Sequence, residues 1–203
     1  MGNHFACNNY YCGDITFKPE WFSENSWKIE YNTEHKPYII DKGLLKISNT
    51  SMFHLLLTKK LLIDFKETRN ISIPINFKYN IKNNIQLYII ISTKQINISD
   101  INNLNENYFF FIQLNLSNNK LFILHSFDSI VQEKKIKSKK INNFTLMIEN
   151  NFNILLITEN LKNKYESKYI HNFGINNDEF YLSLFLKSDY ELVKNQFIEL
   201  NFE

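Results

Sequence analysis

The sequence predicts an all-β fold, in which two antiparallel sheets pack against each other as a β-sandwich. Short apolar runs rich in β-branched and aromatic residues recur along the chain, with Asn-rich breaks between them. Several runs alternate apolar with polar positions, and no long helical pattern separates one run from the next. Closely spaced strands without intervening helices are typical of antiparallel sheets, because parallel strands need a long crossover between them.

The stretch 85–125 forms the centre of the predicted sheet. It contains the runs IQLYIIIS, NYFFFIQLNLS and LFILHS, each about as long as one strand. Runs this apolar are typical of strands covered on both faces, so we expect three adjacent central strands. These and later runs predict buried side chains at Ile89, Ile91, Phe109, Phe111, Leu114, Phe122, Leu124, Leu146, Ile148, Leu155, Leu182 and Leu184.

Length and charge limit the possible classes of function. The 203 residues can bury a sizeable core, and sandwiches of this size are often single domains. We therefore expect a flexible N-terminal arm, residues 1–20, and one β-sandwich domain, residues 21–203. The formal net charge of +2, from 23 basic and 21 acidic residues, argues against a nucleic-acid partner, because nucleic-acid binders are usually strongly basic.

Cysteine use and hydropathy bear on the compartment. Cys7 and Cys12 are the two cysteines, both near the N-terminus, so a disulfide framework does not hold the fold. No stretch approaches the roughly 18 consecutive apolar residues of a membrane helix, and no basic segment followed by an apolar one opens the chain. We therefore expect a cytoplasmic protein. The dominance of Asn, Ile and Lys is typical of an AT-rich genome.

The first elements of the domain are predicted by alternation and by one glycine. Apolar residues at Trp27, Ile29 and Tyr31 alternate with polar ones and predict a strand. The run PYIIDKGLLKIS then predicts a hairpin with a three-residue loop at 41–43. Gly43 occupies the loop position that needs a positive φ, as in a loop with a G1 bulge.

The next two stretches differ in how clearly they predict structure. Residues 51–64, SMFHLLLTKKLLID, fit either a short helix or two strands joined by a turn at 58–60, and we favour strands because the neighbouring runs are strands. ISIPINFKYNI then alternates from Ile71 to Tyr79, which predicts a strand with one buried face. Pro74 cannot donate to a ladder and predicts an edge strand or a bulge.

The C-terminal half continues the pattern of short strands. FTLMIE and FNILLIT flank the sequence ENN at 149–151 and predict a hairpin there. The runs KYESKYI, EFYLSLFLKS and QFIELNFE predict the last strands. No repeat of fixed period and no linker divides this part of the chain, which agrees with a single domain.

The order of these elements resembles the concanavalin A-like lectin/glucanase superfamily. The resemblance lies in the opening at Trp27, the hairpin YIIDKGLLKI, the long middle strands and the closing runs FYLSLF and QFIELNF, and it covers residues 21–203. It implies a jelly roll of two curved antiparallel sheets. Members bind glycans on the concave sheet, cleave them, or serve as adhesion and structural modules, which implies a lectin-like interaction module with a protein or glycan partner. We predict no cofactor.

The sequence departs from the enzymes of this superfamily. Their catalytic carboxylates follow the pattern Glu-x-Asp-x-x-Glu or Glu-x-Asp-x-Glu, because alternate strand residues share a face. No such triplet occurs here, so we predict no catalytic residue and no enzyme. The alternative is a degenerate glycan hydrolase with carboxylates from different strands, such as Glu149 with Asp178. The Asp/Asn cluster of metal-dependent legume-type lectins is not recognisable, so no metal site is predicted.

The N-terminal sequence MGNHFAC resembles an N-myristoylation signal, with Gly2 as the acylated residue. Cys7 is placed to take a second, palmitoyl chain, whereas Ala6 departs from the Ser or Thr that the signal prefers. One myristoyl chain gives only marginal membrane binding, about 10⁴ M⁻¹, so a stable anchor needs both chains. Acylation at Gly2 and Cys7 predicts peripheral contact with the cytoplasmic face of a membrane, and the alternative is an unmodified arm.

Two further groups of residues are candidates for binding. Trp21 and Trp27 could stack on sugar rings, although Trp27 at the start of an alternating strand is typical of a core residue. The run EKKIKSKK at 133–140 could contact phosphates or anionic lipid. We favour the alternative, a solvated hairpin or edge strand whose charges discourage aggregation. The candidate anion contacts in this run are Lys134, Lys135, Lys137, Lys139 and Lys140.

Overall fold

The structure, a computed structural model, describes residues 14–18, 22–62, 70–92, 94–103, 108–115, 120–124, 131–132, 143–149, 154–158, 161–167 and 179–202. The strands in these ranges are β1 (Ile15–Thr16), β2 (Lys28–Tyr31), β3 (Tyr38–Asp41), β4 (Leu44–Thr50), β5 (Phe53–Leu62), β6 (Asn70–Asn80), β7 (Gln86–Ser92), β8 (Tyr108–Asn115), β9 (Lys120–Leu124), β10 (Val131–Gln132), β11 (Asn143–Glu149), β12 (Ile154–Thr158), β13 (Leu161–Ser167), β14 (Glu179–Ser188) and β15 (Leu192–Asn201). A 3₁₀ helix spans Ile98–Asn103.

The strands form two sheets, and the predicted all-β, two-sheet sandwich is confirmed. An eight-stranded sheet has the order β13-β12-β11-β6-β15-β4-β3, with β1 pairing in addition with β6. A seven-stranded sheet has the order β10-β9-β8-β7-β14-β5-β2. All the strand pairs are antiparallel except β1 with β6, within the described ranges. Sequence neighbours and distant strands both pair, as expected for a jelly roll.

Alternation of side chains places the core between the two sheets. In β6 the odd-numbered residues from Ile71 to Phe77 are buried, and the even-numbered residues between them are half-buried. This is the pattern that the sequence predicts for a strand with one face on a core. Leu146, Ile198 and Leu200 on the strands beside β6 join the same core.

The middle runs of the sequence are adjacent strands, as predicted. β7, β8 and β9 follow one another in the seven-stranded sheet, and residues 89–92 of β7 are buried on both faces. The predicted core is confirmed where side chains are described, at Ile89, Ile91, Leu146, Leu182 and Leu184. The structure does not describe the side chains of the other predicted core residues, which are Phe109, Phe111, Leu114, Phe122, Leu124, Ile148 and Leu155.

The first hairpin has a shorter loop than the sequence predicts. Asp41 pairs directly with Leu44, which leaves a two-residue turn made of Lys42 and Gly43. Their φ angles are 47° and 79°, and positive φ at both central residues is the signature of a type I′ turn, whose twist suits the two strands. The positive φ predicted for Gly43 is confirmed, whereas the three-residue loop with a G1 bulge is wrong.

Residues 53–62 form the single strand β5, so the predicted turn at 58–60 is wrong. All ten residues pair with β14 in unbroken register. Two polar side chains that suggested a turn, those of Thr58 and Lys59, find partners elsewhere in the protein when they are part of the strand. Thr58 Oγ1 lies 3.1 Å from Ser183 Oγ, and Lys59 Nζ donates to the backbone oxygen of Ser26 over 3.5 Å.

β6 is an interior strand, so the edge position predicted from Pro74 is wrong. On one side β6 pairs with β11 over its residues 70–76. On the other side β1 pairs with residues 71–72 and β15 with residues 76–80. Pro74 therefore lies in the gap between the ends of β1 and β15. No strand on that side needs a hydrogen bond from residue 74, so a proline, which has no backbone N–H, is tolerated there.

The chain before the predicted domain boundary also contributes to the core. Ile15 and Thr16 pair with β6, and the Phe17 N–H donates to the Ser72 oxygen over 2.9 Å. Phe17 is buried and its ring lies 5.8 Å from that of Phe202. Residues 14–18, which the sequence assigns to the arm, thus pack on the sandwich.

Candidate functional site

A pocket lies on the outer face of the eight-stranded sheet, the face directed away from the core. Because Ile75 and Phe77 of β6 point inwards, Asn76 and Lys78 point outwards. The pocket has a volume of about 380 Å³, within the roughly 300 to 1,000 Å³ typical of ligand sites. Its described lining consists of Leu44, Asn76, Phe77, Lys78, Asn143, Glu199 and Asn201.

Strand register brings three asparagines side by side in this pocket. Asn201 of β15 pairs with Asn76 of β6, which on its other side pairs with Asn143 of β11. Neighbouring strands lie about 4.8 Å apart, so the three residues span roughly 10 Å across the sheet. Each amide side chain has an acceptor oxygen and an NH₂ group with two donors. Such a row can both donate hydrogen bonds to ligand hydroxyl groups and accept them.

The side-chain oxygen of Asn201 has no hydrogen-bond partner. Oδ1 is buried and accepts no hydrogen bond within the part of the chain that the structure describes. A buried acceptor without a donor costs about 1 to 3 kcal/mol, and native proteins keep few of them. Asn201 is also one of the described residues that line the pocket.

Charged side chains lie one row along from the asparagines. Glu199 of β15 pairs with Lys46 of β4 on one side and with Lys78 of β6 on the other. Lys46 Nζ lies 3.3 Å from Glu199 Oε1. The two ammonium groups also lie 5.8 Å and 5.9 Å from the centre of the Phe197 ring. Cation-π contacts of this kind contribute about 0.5 to 1 kcal/mol at exposed sites and draw both lysines towards one ring.

An irregularity in β15 sets the register of these rows. The pairing of β15 with β4 shifts between Leu192 and Phe197, and Asn195 in this interval has a φ of 71°. Asn80 Nδ2 on β6 donates to the Asn195 oxygen over 2.9 Å, which ties the irregular segment to the neighbouring strand. Bulges redirect the side chains that follow them. From Phe197 to Asn201 the pairing with β6 is then unbroken.

The outer face of the seven-stranded sheet is partly covered by the segment 94–103. This segment contains the 3₁₀ helix and forms a second, smaller apolar cluster with the sheet. Because the cluster is buried, this part of the face is filled and offers no open groove. The buried members of the cluster are Leu56, Ile90, Ile96, Ile101 and Phe185.

Two carboxylates, Glu30 of β2 and Asp100 within the segment, hold the segment 94–103 in place. Glu30 accepts a hydrogen bond from the Ile98 N–H over 3.2 Å and forms an ion pair with Lys28 at 2.6 Å. Asp100 accepts a hydrogen bond from the Asn97 N–H over 2.9 Å. Both carboxylates are thus occupied by backbone groups of the covering segment, which gives them a structural role.

Phe185 of the smaller apolar cluster also packs against the rings of His54 and Tyr88. The ring centres of His54 and Phe185 lie 5.7 Å apart, and those of Tyr88 and Phe185 lie 5.5 Å apart. Burial, and secondarily the charge of Lys187, lowers the pKa of His54. Burial, and secondarily Asp189, raises the pKa of Tyr88. These groups are engaged with their neighbours and form a packed cluster.

Most of the site residues predicted from the sequence lie outside the described residues. They are the acylation sites Gly2 and Cys7, the tryptophan Trp21 and the candidate carboxylate Asp178. The lysine run, Lys134, Lys135, Lys137, Lys139 and Lys140, also lies outside the described residues. Trp27 is described, and it is 5% exposed. Its ring packs against Phe22 and Phe202, which leaves no free face for a sugar ring.

The carboxylate Glu149 is far from the pocket. Glu149 pairs with Asn70 at one end of β6, whereas Glu199 pairs with Lys78 near the other end. At about 3.3 Å per residue, these positions are roughly 26 Å apart along the strand. Glycoside hydrolysis requires two carboxyl groups about 5 to 10 Å apart, so Glu149 and Glu199 cannot serve as such a pair.

The pocket residues themselves were not identified from the sequence. Asn76, Asn143 and Asn201 belong to a residue type that is abundant everywhere in this chain, and their meeting depends on pairing between distant strands. The one local signal is the alternation in the last strand. There Glu199 and Asn201 alternate with the buried Ile198 and Leu200, which assigns both polar residues to the outer face.

The described ranges contain neither a metal-binding cluster of His, Cys, Asp or Glu nor a membrane-spanning helix. In the described ranges no three His, Cys, Asp or Glu side chains are close enough together to hold a metal ion. No helix in those ranges has the length and apolar character needed to cross a membrane.

Solved structures show which fold this is, while no family model and no curated protein sequence matches the chain. A mutant form of the Emp46p carbohydrate recognition domain is similar with a TM-score of 0.59 at 9% identity, covering 92% of this chain and 93% of that chain. The potassium-bound form of that domain is similar with a TM-score of 0.55 at 10% identity over the same shares. The VIP36 exoplasmic/lumenal domain bound to Ca²⁺ and Man3GlcNAc is similar with a TM-score of 0.53 at 6% identity, covering 93% and 87%.

These similarities span nearly the whole chain, and at such low identity they inform on the fold alone. The two antiparallel sheets and their strand order agree with the jelly roll that the sequence resemblance implies. The chain therefore has the concanavalin A-like jelly-roll fold of lectin carbohydrate recognition domains.

Proposed function

We propose that this protein is a non-enzymatic glycan-binding module, and that the glycan binds in the pocket on the outer face of the eight-stranded sheet. The observation that carries the proposal is the buried, unpartnered Oδ1 atom of Asn201 beside the amides of Asn76 and Asn143. Sugars present several hydroxyl groups, each able to donate and accept. A row of amides with a free acceptor complements that chemistry.

The other lining residues suit a sugar ring. Leu44 supplies an apolar surface next to the amide row, and the charged residues Lys78 and Glu199 lie one row further along the sheet. Binding sites commonly combine apolar surface with a few convergent polar groups in this way. The similarity in fold to carbohydrate recognition domains supports the same class of ligand.

The carboxylates support binding without hydrolysis. Glu199 is the one carboxylate among the described lining residues, and it is paired with Lys46. Retaining and inverting glycosidases both require a second carboxyl group across the scissile bond. We therefore expect bound glycans to be recovered intact after prolonged incubation with the protein.

The proposal is tested by glycan-array screening followed by calorimetry on the bound glycans. Asn201→Leu removes the acceptor while keeping the branched shape of the side chain, and Asn76→Ala removes the neighbouring amide. Each should weaken binding about tenfold or more, the equivalent of one good hydrogen bond. Ser48→Ala is the control, because Ser48 of β4 lies on the same outer face of the sheet but outside the described lining.

Affinity that both pocket variants leave unchanged would place the glycan elsewhere and contradict the proposal. So would release of shortened sugars by the wild-type protein together with loss of that release in Glu199→Gln. Failure of every immobilised glycan to bind, with a folded protein confirmed by circular dichroism, would favour a protein partner for this module.

We also propose that acyl chains on Gly2 and Cys7 tether the module to a membrane. The support is the N-terminal sequence, together with the physical requirement for two chains. Since residue 14 is the first described residue and β1 pairs with β6 just beyond it, the tether from Cys7 would reach about 25 Å at most. Such a tether would hold the sandwich close to the lipid surface.

Intact-mass measurement on protein from its native cell tests the tether. The expected result is the added mass of a myristoyl chain and a palmitoyl chain. Gly2→Ala should move the protein from the membrane fraction to the soluble fraction, while Asn3→Ala should leave it membrane-bound. An unmodified N-terminus would end the tether proposal without affecting the proposal about the pocket.

A further inference from the structure

The charged groups beside the pocket do not balance one another. Glu199 is directly opposite Lys46 on one neighbouring strand and Lys78 on the other. Its carboxylate is engaged with Lys46, whose Nζ lies 3.3 Å from Oε1. Among the described residues of this part of the sheet, two ammonium groups thus accompany a single carboxylate, which leaves one positive charge uncompensated.

Lys78 carries this uncompensated charge. Its side chain is exposed, lines the pocket and has no carboxylate partner among the described residues. Its ammonium group lies 5.9 Å from the centre of the Phe197 ring, a contact that orients the group but does not neutralise it. The ammonium is therefore available to an anion that enters the pocket.

Nearby carboxylates do not compensate for Lys78. Asp41 is an outward-facing acidic residue of β3, at the edge of the same sheet. The sheet order puts β4 and β15 between β3 and β6, so about 14 Å separates the strands of Asp41 and Lys78. This exceeds the Debye length of about 8 Å at physiological salt, which screens interactions between exposed charges.

We infer that the glycan bound here is acidic, with a carboxylate or sulfate group on the sugar that pairs with Lys78 while a hydroxyl group of the same glycan donates to Asn201 Oδ1. This inference rests on the proposed function. The two contacts are compatible in space, because Lys78 and Asn201 belong to neighbouring strands and to adjacent outward rows about 7 Å apart. A pyranose ring with its substituents spans that distance.

The arrangement also accounts for the ion pair between Lys46 and Glu199. If Glu199 were unpaired, its charge would repel an acidic sugar, whereas pairing with Lys46 reduces that repulsion. A neutral glycan would need only the amide row and would gain nothing from Lys78. Selectivity for acidic over neutral sugars is therefore the property that separates this inference from simple glycan binding.

The experiment uses matched pairs of tetrasaccharides in the gluco, galacto and manno series, in which the acidic member carries a uronic acid where the neutral member carries CH₂OH. A 6-sulfated member of each series distinguishes sulfate from carboxylate. Affinities are measured by calorimetry on the full chain at low and physiological salt. At least one acidic sugar should bind about tenfold more tightly than its neutral counterpart, since charge-assisted hydrogen bonds are the stronger ones.

Three variants test whether Lys78 is the residue that gives the preference for acidic over neutral sugars. Lys78→Gln should remove the tenfold preference and leave the affinity for the neutral sugar within about twofold. Lys82→Gln is the matched control, because Lys82 is an exposed lysine close in sequence that is absent from the described lining. A variant with Lys134, Lys135, Lys137, Lys139 and Lys140 all changed to Gln tests the lysine run predicted from the sequence, and it should retain the preference.

Equal binding of acidic and neutral sugars by the wild-type protein would overturn the inference and leave the proposed function standing. Loss of the preference in the lysine-run variant, with Lys78→Gln unchanged, would overturn it as well. Binding of no sugar in any series, or binding that Asn201→Leu does not weaken, would overturn the proposed function together with this inference.

Discussion

Trp27 and Phe202 stack with their ring centres 5.7 Å apart and their planes 15° from parallel, although they lie near opposite ends of the described chain. Phe22 and Phe17 pack on the same Phe202 ring at 5.0 Å and 5.8 Å. This cluster fixes Phe202 in the core. Because neighbouring residues of an extended chain point to opposite sides, the cluster also fixes the preceding residue, Asn201, on the pocket side of the sheet.

The first prediction concerns this cluster. Phe202→Ala should lower the free energy of unfolding by about 3 to 5 kcal/mol, because it leaves a cavity among three aromatic rings. Urea denaturation followed by tryptophan fluorescence measures the change. Tyr190→Ala is the control, because Tyr190 is 52% exposed, and it should change stability by less than about 0.5 kcal/mol. Equal effects of the two substitutions would contradict the packing described here.

A second prediction concerns the type I′ turn. Gly43 has a φ of 79°, so Gly43→Ala should cost about 1 to 2 kcal/mol, the penalty for a side chain in the left-handed region. Lys42 has a φ of 47°, and Lys42→Asn should be neutral or stabilising because Asn favours this conformation. The urea midpoint measures both. A stabilising Gly43→Ala would mean that the loop differs from the one described.

A third prediction uses the buried pair of Thr58 and Ser183, whose hydroxyl oxygens lie 3.1 Å apart. Ser183→Ala alone should cost about 1 to 3 kcal/mol, because it leaves the Thr58 hydroxyl buried without a partner. Adding Thr58→Val should recover most of that loss, since both polar groups are then gone. A double-mutant cycle on the free energy of unfolding checks this, and additive single effects would argue against a direct hydrogen bond.

A fourth prediction concerns pH. The pKa of His54 is lowered from 6.5 in the folded state, mainly by burial. The unfolded chain therefore binds a proton more readily, and stability falls as the pH drops from 6.5 through the lowered pKa. His54→Asn should lose less stability than the wild type between pH 7.5 and pH 5. A steeper loss of stability in His54→Asn than in the wild type would contradict the assignment of the lowered pKa to His54.

The fold was predictable because its signals are local. Alternation such as that from Ile71 to Phe77 reports directly which side chains face the core, and the structure agrees. The position of β6 within its sheet was not predictable, because Pro74 is accommodated by the separate partners β1 and β15. These partners come from opposite ends of the chain, and nothing in the sequence around Pro74 indicates them.

The pocket was not predictable for a related reason. Asn76, Asn143 and Asn201 meet only through the registers of β6, β11 and β15. In a chain rich in asparagine, none of the three is distinctive by itself. The turn wrongly predicted at 58–60 shows the same limitation, because the partner of Thr58 is Ser183 on a strand far along the chain.

The most direct test of this account is a thermal unfolding measurement on the wild type and Asn201→Leu, with and without a bound glycan. If Asn201 Oδ1 is a ligand acceptor kept at a cost to stability, Asn201→Leu should unfold about 2 to 4 °C higher for each kcal/mol recovered. Adding the glycan should raise the melting temperature of the wild type more than that of Asn201→Leu, because the variant binds the glycan more weakly. A destabilised Asn201→Leu that binds the glycan as tightly as the wild type would contradict the central claim.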